Sequence, residues 1–134
     1  MLVLDNNLLS DYLDGRESAR AFLGGYDAEA WAVPTIVLYE AYMGCIHGYI
    51  GGSPETIREA VTASMEVLAV TGRTADEAAA LQEKLLEQGV PADHPDALIA
   101  ASAREHGATF ATAERHFWRD EVRSVLDVAA YEPE

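Results

Sequence analysis

One cysteine, one lysine and no long apolar run set the first limits on this chain. Cys45 alone excludes an internal disulfide and any cysteine-rich zinc site, and reads as a small buried apolar residue. No apolar stretch approaches the roughly 18 to 20 residues that span a bilayer. Met1 to Asp5 also lacks the basic start and apolar body of a signal peptide, so a cytoplasmic protein with no membrane partner is expected. Positive charge is scarce: nine basic side chains, of which Lys84 is the only lysine, face 23 acidic ones, for a formal net charge of -14. Such acidity resembles proteins of salt-loving organisms, where ionic strength screens self-repulsion. It opposes phosphate binding in general. A local arginine patch, or acids gathered around metal ions, remains compatible with a phosphate substrate.

What is present fits one domain over residues 1–134, since 134 residues, 49% of them hydrophobic, can enclose one core. Leu2 to Leu4 reads as a buried strand, and Leu8, Leu9, Tyr12 and Leu13 follow at helical spacing. A second helix is expected over Ser18 to Leu23 and a second strand over Trp31 to Val33. A long helix then starts at Pro34 and Thr35 and reaches about His47. After a loop rich in glycine, helix is expected over Glu55 to Ser64, strand over Val67 to Val70 and helix over Thr74 to Gln88, with Gly89 as its cap. A proline-opened helix, His94 to Ala103, precedes strands at Thr109 to Ala111 and Val125 to Val128. Short continuous apolar runs separated by helices imply an α/β fold, with a mostly parallel sheet covered on both faces.

In such a sheet, ligands bind where loops leave the carboxyl ends of strands. Asp5 follows the first strand and Glu114 follows the fourth, although each is also explained as a helix cap or first-turn residue. Glu40 lies within the apolar run IVLYEAYM, where an unpaired buried carboxylate costs several kcal/mol. It therefore needs a partner, and arginine and a metal ion are equal candidates. Asp96 in the first turn of HPDALIAASA is explicable as a dipole contact. If these acids converge, charges about 4 Å apart repel by roughly 4 kcal/mol at an effective dielectric near 20. Cations are then required. Hard oxygen donors favour Mg²⁺ or Mn²⁺ over zinc, and such ions take further ligands from water and phosphate, which points to phosphoryl transfer.

Four segments, LVLDNNLLSDYL, VPTIVLYEAYMG, DALIAASA and TFATAERHF, taken in this order, resemble the PIN-domain ribonucleases. The resemblance covers essentially the whole chain and extends to the small VapC-type toxins of toxin–antitoxin pairs. It implies a three-layer α/β/α fold with four to five strands and an endoribonuclease that uses one or two Mg²⁺ or Mn²⁺ ions. Asp5, Glu40 and Asp96 match the family's three core metal-binding acids. Glu114 stands where a fourth acid is commonly aspartate, in a pattern running from Thr112 to Phe117. Asn7 matches a small polar position after the first acid, and Thr35 a polar helix start suited to capping. An RNA substrate, a cognate antitoxin and a homodimer, formed through the apolar helices flanking the Gly-rich loop, are implied by the same resemblance.

His94 and His116 flank two of the acids, but nothing pairs them for zinc. Asp93 is a further acid near Asp96. Arg115, Arg119 and Arg123 recur every four residues and would form one basic stripe if their segment is helical, either for RNA phosphates or for pairing with Glu114, Asp120 or Asp127. Two alternatives belong to other classes. One is a PIN-like module that binds RNA or protein without cleaving. The other is a phosphatase of the haloacid-dehalogenase type, which wants an aspartate where Asn7 stands.

Overall fold

The apolar triplet Leu2–Leu4 (β1) is fully buried and occupies the centre of the sheet, which is why it shows no alternation of polar and apolar residues. A computed structural model describes residues 1–134. Its elements run β1, α1 (Asn6–Leu13), α2 (Glu17–Gly24), β2 (Trp31–Pro34), α3 (Thr35–Ile46), α4 (Pro54–Ser64), β3 (Glu66–Leu68) and α5 (Gly72–Glu87). After these come α6 (His94–Glu105), β4 (Thr109–Thr112), a 3-10 turn (Arg115–Trp118), α7 (Asp120–Arg123) and β5 (Val128–Ala130). No helix is long and apolar enough to cross a membrane.

The sheet has five strands in the order β3-β2-β1-β4-β5, and every pairing is parallel. From β1 the chain steps outward to β2 and β3, then returns to lay β4 on the other side of β1, with Val3 opposite Phe110 and Leu4 opposite Ala111. Because parallel crossovers are right-handed, this reversal puts the helices of the two halves on opposite faces. Accordingly α1 packs with α2 and α3, and α3 with α4, while α5 packs along α6. The expected α/β/α architecture is thus observed, and β1 and β4 flank its topological switch point.

Local signals explain most boundaries. Ser53 and Thr56 close a capping box at the start of α4, with Pro54 in the first turn. Gly89 (φ 74°) lets the chain leave α5 through a conformation that side chains with a Cβ resist. Ala78, Leu81 and Leu85 are buried along one face of α5, as their spacing predicts.

Four expectations need correction. The third strand begins at Glu66 and ends at Leu68, because pairing with β2 fixes the register Ala32 opposite Glu66. The fifth strand is Val128–Ala130, not Val125 to Val128: the turn leaving α7 takes up Val125 and Leu126, whose burial comes from packing below the sheet edge and not from pairing. Thr35 does not cap α3; its hydroxyl donates to the Leu68 carbonyl at 2.9 Å, tying the helix start to β3. Cys45 is only half-buried, and its thiol contacts the Gly52 carbonyl.

Candidate active site

Asp5, Asn6, Asn7, Glu40, Asp96, Thr112 and Glu114 line one cavity of about 130 Å³, floored by Ile99, Phe110 and Phe117. It opens at the carboxyl ends of β1 and β4. Each acid arrives there for its own structural reason. Asp5 leaves β1 and caps α1, its Oδ1 accepting from the Leu8 amide at 2.9 Å. Glu40 lies in the second turn of α3, a helix apolar on nearly every side. Asp96 sits in the first turn of α6. Glu114 follows β4 at the entrance to the 3-10 turn and is exposed.

Asp5 is the fixed point of the site. It is 8% exposed, and its Oδ2 accepts from the Thr112 hydroxyl at 2.7 Å and the Ala113 amide at 2.9 Å. With the Leu8 bond, three donors occupy about four lone-pair sites, leaving one for a ligand. Thr112 is fully buried, and its hydroxyl also accepts from the Glu114 amide at 2.9 Å. Its place is therefore behind Asp5, holding the two strand ends together, and not on the open side of the cavity.

The acids are electrostatically frustrated. Burial raises the Asp5 pKa above the ordinary carboxylate value despite its hydrogen bonds, and the Glu114 charge adds to the effect. Glu40 is raised by burial, then by the charges of Asp96 and Asp5. Asp96 is raised by burial, then by Glu114 and Asp93, with His116 opposing. None of the four ion pairs in the molecule involves these acids. Glu40 Oε1 and Asn6 Oδ1 are both buried without any hydrogen-bond partner. A buried unpaired carboxylate oxygen calls for a cation or a donor.

This donor set fits a hard divalent cation. No three His, Cys, Asp or Glu side chains are close enough to close around an ion by themselves, so the acids ring the cavity instead of meeting at a point. Magnesium suits that arrangement, since it keeps several waters and completes its shell with substrate oxygens.

A PIN domain family model matches residues 2–120. The chain belongs to the PIN-domain family. Several solved PIN-like chains share its architecture across nearly their full length. VapBC2 of Rickettsia felis, bound to a DNA fragment from its promoter, superposes with a TM-score of 0.78 at 19% identity over 98% of each chain. A toxin-antitoxin complex of Klebsiella pneumoniae gives 0.76 at 22% identity, covering 99% of this chain and 100% of that one. FitAcB of Neisseria gonorrhoeae gives 0.74 at 23%, covering 99% and 98%. No curated protein matches the sequence significantly.

Other residues singled out by sequence fall around this PIN site in different ways. Asn7 lines the cavity and is exposed. Asp93 directly precedes α6 without a side-chain bond to the helix start and, with Asp96, Glu114 and His116, lines a shallower depression of about 230 Å³ beside the cavity. His116 Nε2 bonds the Val90 carbonyl at 3.0 Å, whereas His94 faces the groove between α5 and α6. The single basic stripe is not formed, because Arg119 is extended (φ -64°, ψ 145°) between the 3-10 turn and α7. Nor do these arginines pair with Glu114, Asp120 or Asp127: Arg123 instead bonds the carbonyls of Trp118 and Val128. Asn6 went unread in the sequence, since a helix-start pair of asparagines gives no sign of which one turns inward.

Proposed function

We propose that this protein is a divalent-metal-dependent endoribonuclease, built as a single PIN-like domain over residues 1–134 and acting as the toxin of a toxin–antitoxin pair. The observation that carries the reading is the cavity at the β1–β4 switch point, lined by Asp5, Glu40, Asp96 and Glu114 with no basic side chain paired to any of them. These four would hold one or two Mg²⁺ or Mn²⁺ ions. Such an ion, when bound, lowers the pKa of water and stabilises charge on a phosphodiester undergoing displacement. The chain's own part is positional. Asp5 is held rigid by three donors, Glu40 offers its unpartnered Oε1, Asp96 is projected by the first turn of α6, and exposed Glu114 adjusts from the rim. Thr112 orients Asp5, and Asn7 lines the cavity where RNA would enter, with Arg115 and Arg119, both exposed, as further contacts for its phosphates.

The toxin role draws support from the similar chains, which belong to toxin–antitoxin complexes. A cognate antitoxin would cover the acid cavity. A homodimer through α3, α4 and their connecting loop is in keeping with the exposure of Ile46 (64%) and Tyr49 (84%) there. Such a protein would work in the cytoplasm.

The test is cleavage of structured RNAs by the purified protein at high salt, with Mn²⁺, with Mg²⁺ and with chelator, beside Asp96→Asn. Activity is expected only for the wild type with metal; cleavage indifferent to both chelator and substitution would refute the mechanism. Comparing Glu114→Gln with Glu114→Asp separates the need for charge at the rim from the need for length. A second reading, a PIN module that binds without cleaving, is kept open by Glu114, a glutamate where the fourth acid is commonly aspartate. Metal binding without turnover would establish it.

A further inference from the structure

Resting on the RNA reading above, we infer that Arg115 and Trp118 form a nucleotide subsite at the rim of the acid cavity, holding one unstacked base and its phosphate beside the scissile bond. The Arg115 guanidinium lies over the Trp118 ring, 5.3 Å from its centroid. Between them in sequence, Phe117 lines the cavity floor, and Glu114 immediately before them lines its wall. The pair is thus carried by the same 3-10 turn as the cavity wall, on the neighbouring face of that turn, and does not itself line the cavity.

Three features set this pair apart from the other aromatic and basic groups. First, the indole is anchored by one bond, its Nε1 donating to the Thr112 carbonyl at 2.9 Å, and the backbone that carries it is tied by Arg123, which donates to the Trp118 carbonyl at 3.0 Å and the Val128 carbonyl at 3.1 Å. Thr112 is the same residue that orients Asp5, so platform and acid share one support.

Second, Arg115 is exposed and has no ion pair or hydrogen bond, so all five of its N–H donors are free. In a chain of net charge -14 an arginine next to Glu114 finds a carboxylate easily, yet this one is held on an indole instead. Arg16 and Arg104 are spent on Asp11, Asp14 and Glu77; Arg20, Arg58, Arg73 and Arg119 are also without ion pairs, but none of them lies over an aromatic ring.

Third, the geometry suits a nucleotide better than a bare anion. A guanidinium over an indole keeps its edge for phosphate oxygens and its outer face for a base, and single-stranded RNA is bound by stacking on aromatic rings and arginine planes. Phosphate at the edge and base on the face would place the next phosphodiester toward the acids.

The experiment uses the full-length Asp96→Asn protein in Mg²⁺, so that a labelled oligouridylate binds without being cut. Arg115→Gln is expected to weaken binding about tenfold, and to lower the slope of log affinity against log salt by about 0.7 for one lost phosphate contact. Trp118→Leu is expected to weaken it by a similar factor, and Trp118→Phe to restore most of the loss. Tight binding that is unchanged in Arg115→Gln and Trp118→Leu overturns the subsite while leaving the nuclease reading intact wherever the wild type still cleaves. Absence of both binding and cleavage overturns the two together.

Discussion

Removing the charge of Glu40 should stabilise this protein in the absence of metal. Glu40 Oε1 is buried without a donor, and the carboxylate is repelled by the charges of Asp96 and Asp5. Leaving a buried acceptor unsatisfied costs about 1–3 kcal/mol, more when it is charged. Glu40→Gln leaves an unpartnered polar atom in the same place but removes the charge and its repulsion from Asp96 and Asp5, so a gain on the order of 1 kcal/mol at neutral pH in chelator is expected. For a chain of this size that is roughly 3 to 5 °C in Tm per kcal/mol. Divalent cation should reverse the ranking: at a hundredfold excess over its Kd, an ion that binds only the folded state adds about 2.7 kcal/mol to the wild type. The variant, missing one ligand, should gain little. The pH dependence follows from the raised pKa values of Asp5, Glu40 and Asp96. A carboxyl whose pKa is higher folded than unfolded favours the folded state while protonated. The wild type's deficit is thus fully present above the folded pKa values, shrinks as pH falls through them, and vanishes below the unfolded values near 4. Thermal unfolding in chelator and in Mn²⁺, from neutral pH down to about 4, measures each part. A variant less stable than the wild type in chelator, or equally stabilised by Mn²⁺, would refute the reasoning.

Three further outcomes are expected. Thr112→Val removes a donor to Asp5 and the acceptor of the Glu114 amide, and should cost about 1–3 kcal/mol in urea unfolding; an unchanged midpoint would dissociate the two strand ends from each other. Tyr131→Phe loses a hydroxyl that donates to Asp11 Oδ2 at 2.6 Å and contacts Ser18 Oγ at 2.9 Å, so a loss of about 1–2 kcal/mol is expected, with the far-UV spectrum retained. Gly89→Ala puts a Cβ at φ 74° with open space around it, so the penalty is purely conformational, about 1 kcal/mol, and should appear in Tm without any change in metal binding.

The acids of the cavity were legible because each sits in a strongly patterned segment. Asp5 ends a buried strand, and Glu40 and Asp96 interrupt apolar helices, so their elements follow from periodicity; that they reach one end of the sheet is implied only by the resemblance to the PIN family. What periodicity misses is direction and detail within short segments. Val125 to Val128 is a largely apolar segment, broken by Asp127, as consistent with a turn as with a strand, and the turn prevailed because Phe110 selects Val128 as its neighbour. The i, i+4 spacing of Arg115, Arg119 and Arg123 predicts a stripe only if the helix is continuous, and one extended residue at Arg119 cancels it. Thr35 looked like a cap because caps are a local matter; its actual partner, Leu68, is 33 residues away and appears only once β2 and β3 pair.

The linkage of Asp5 to Thr112 spans 107 residues of chain. Two of the cavity's acids lie in the first third of the chain and two in the last. During synthesis, β1 can meet β2 early, but its other edge stays open until β4 has been made, and the lone pairs of Asp5 remain in water until then. Pairing at such separation is a slow, late step of folding. The emerging polypeptide therefore carries half a set of carboxylates and no cavity for most of its time on the ribosome. The site comes into being only with the last strands, so the timing of β4 docking sets the moment at which the protein can first act.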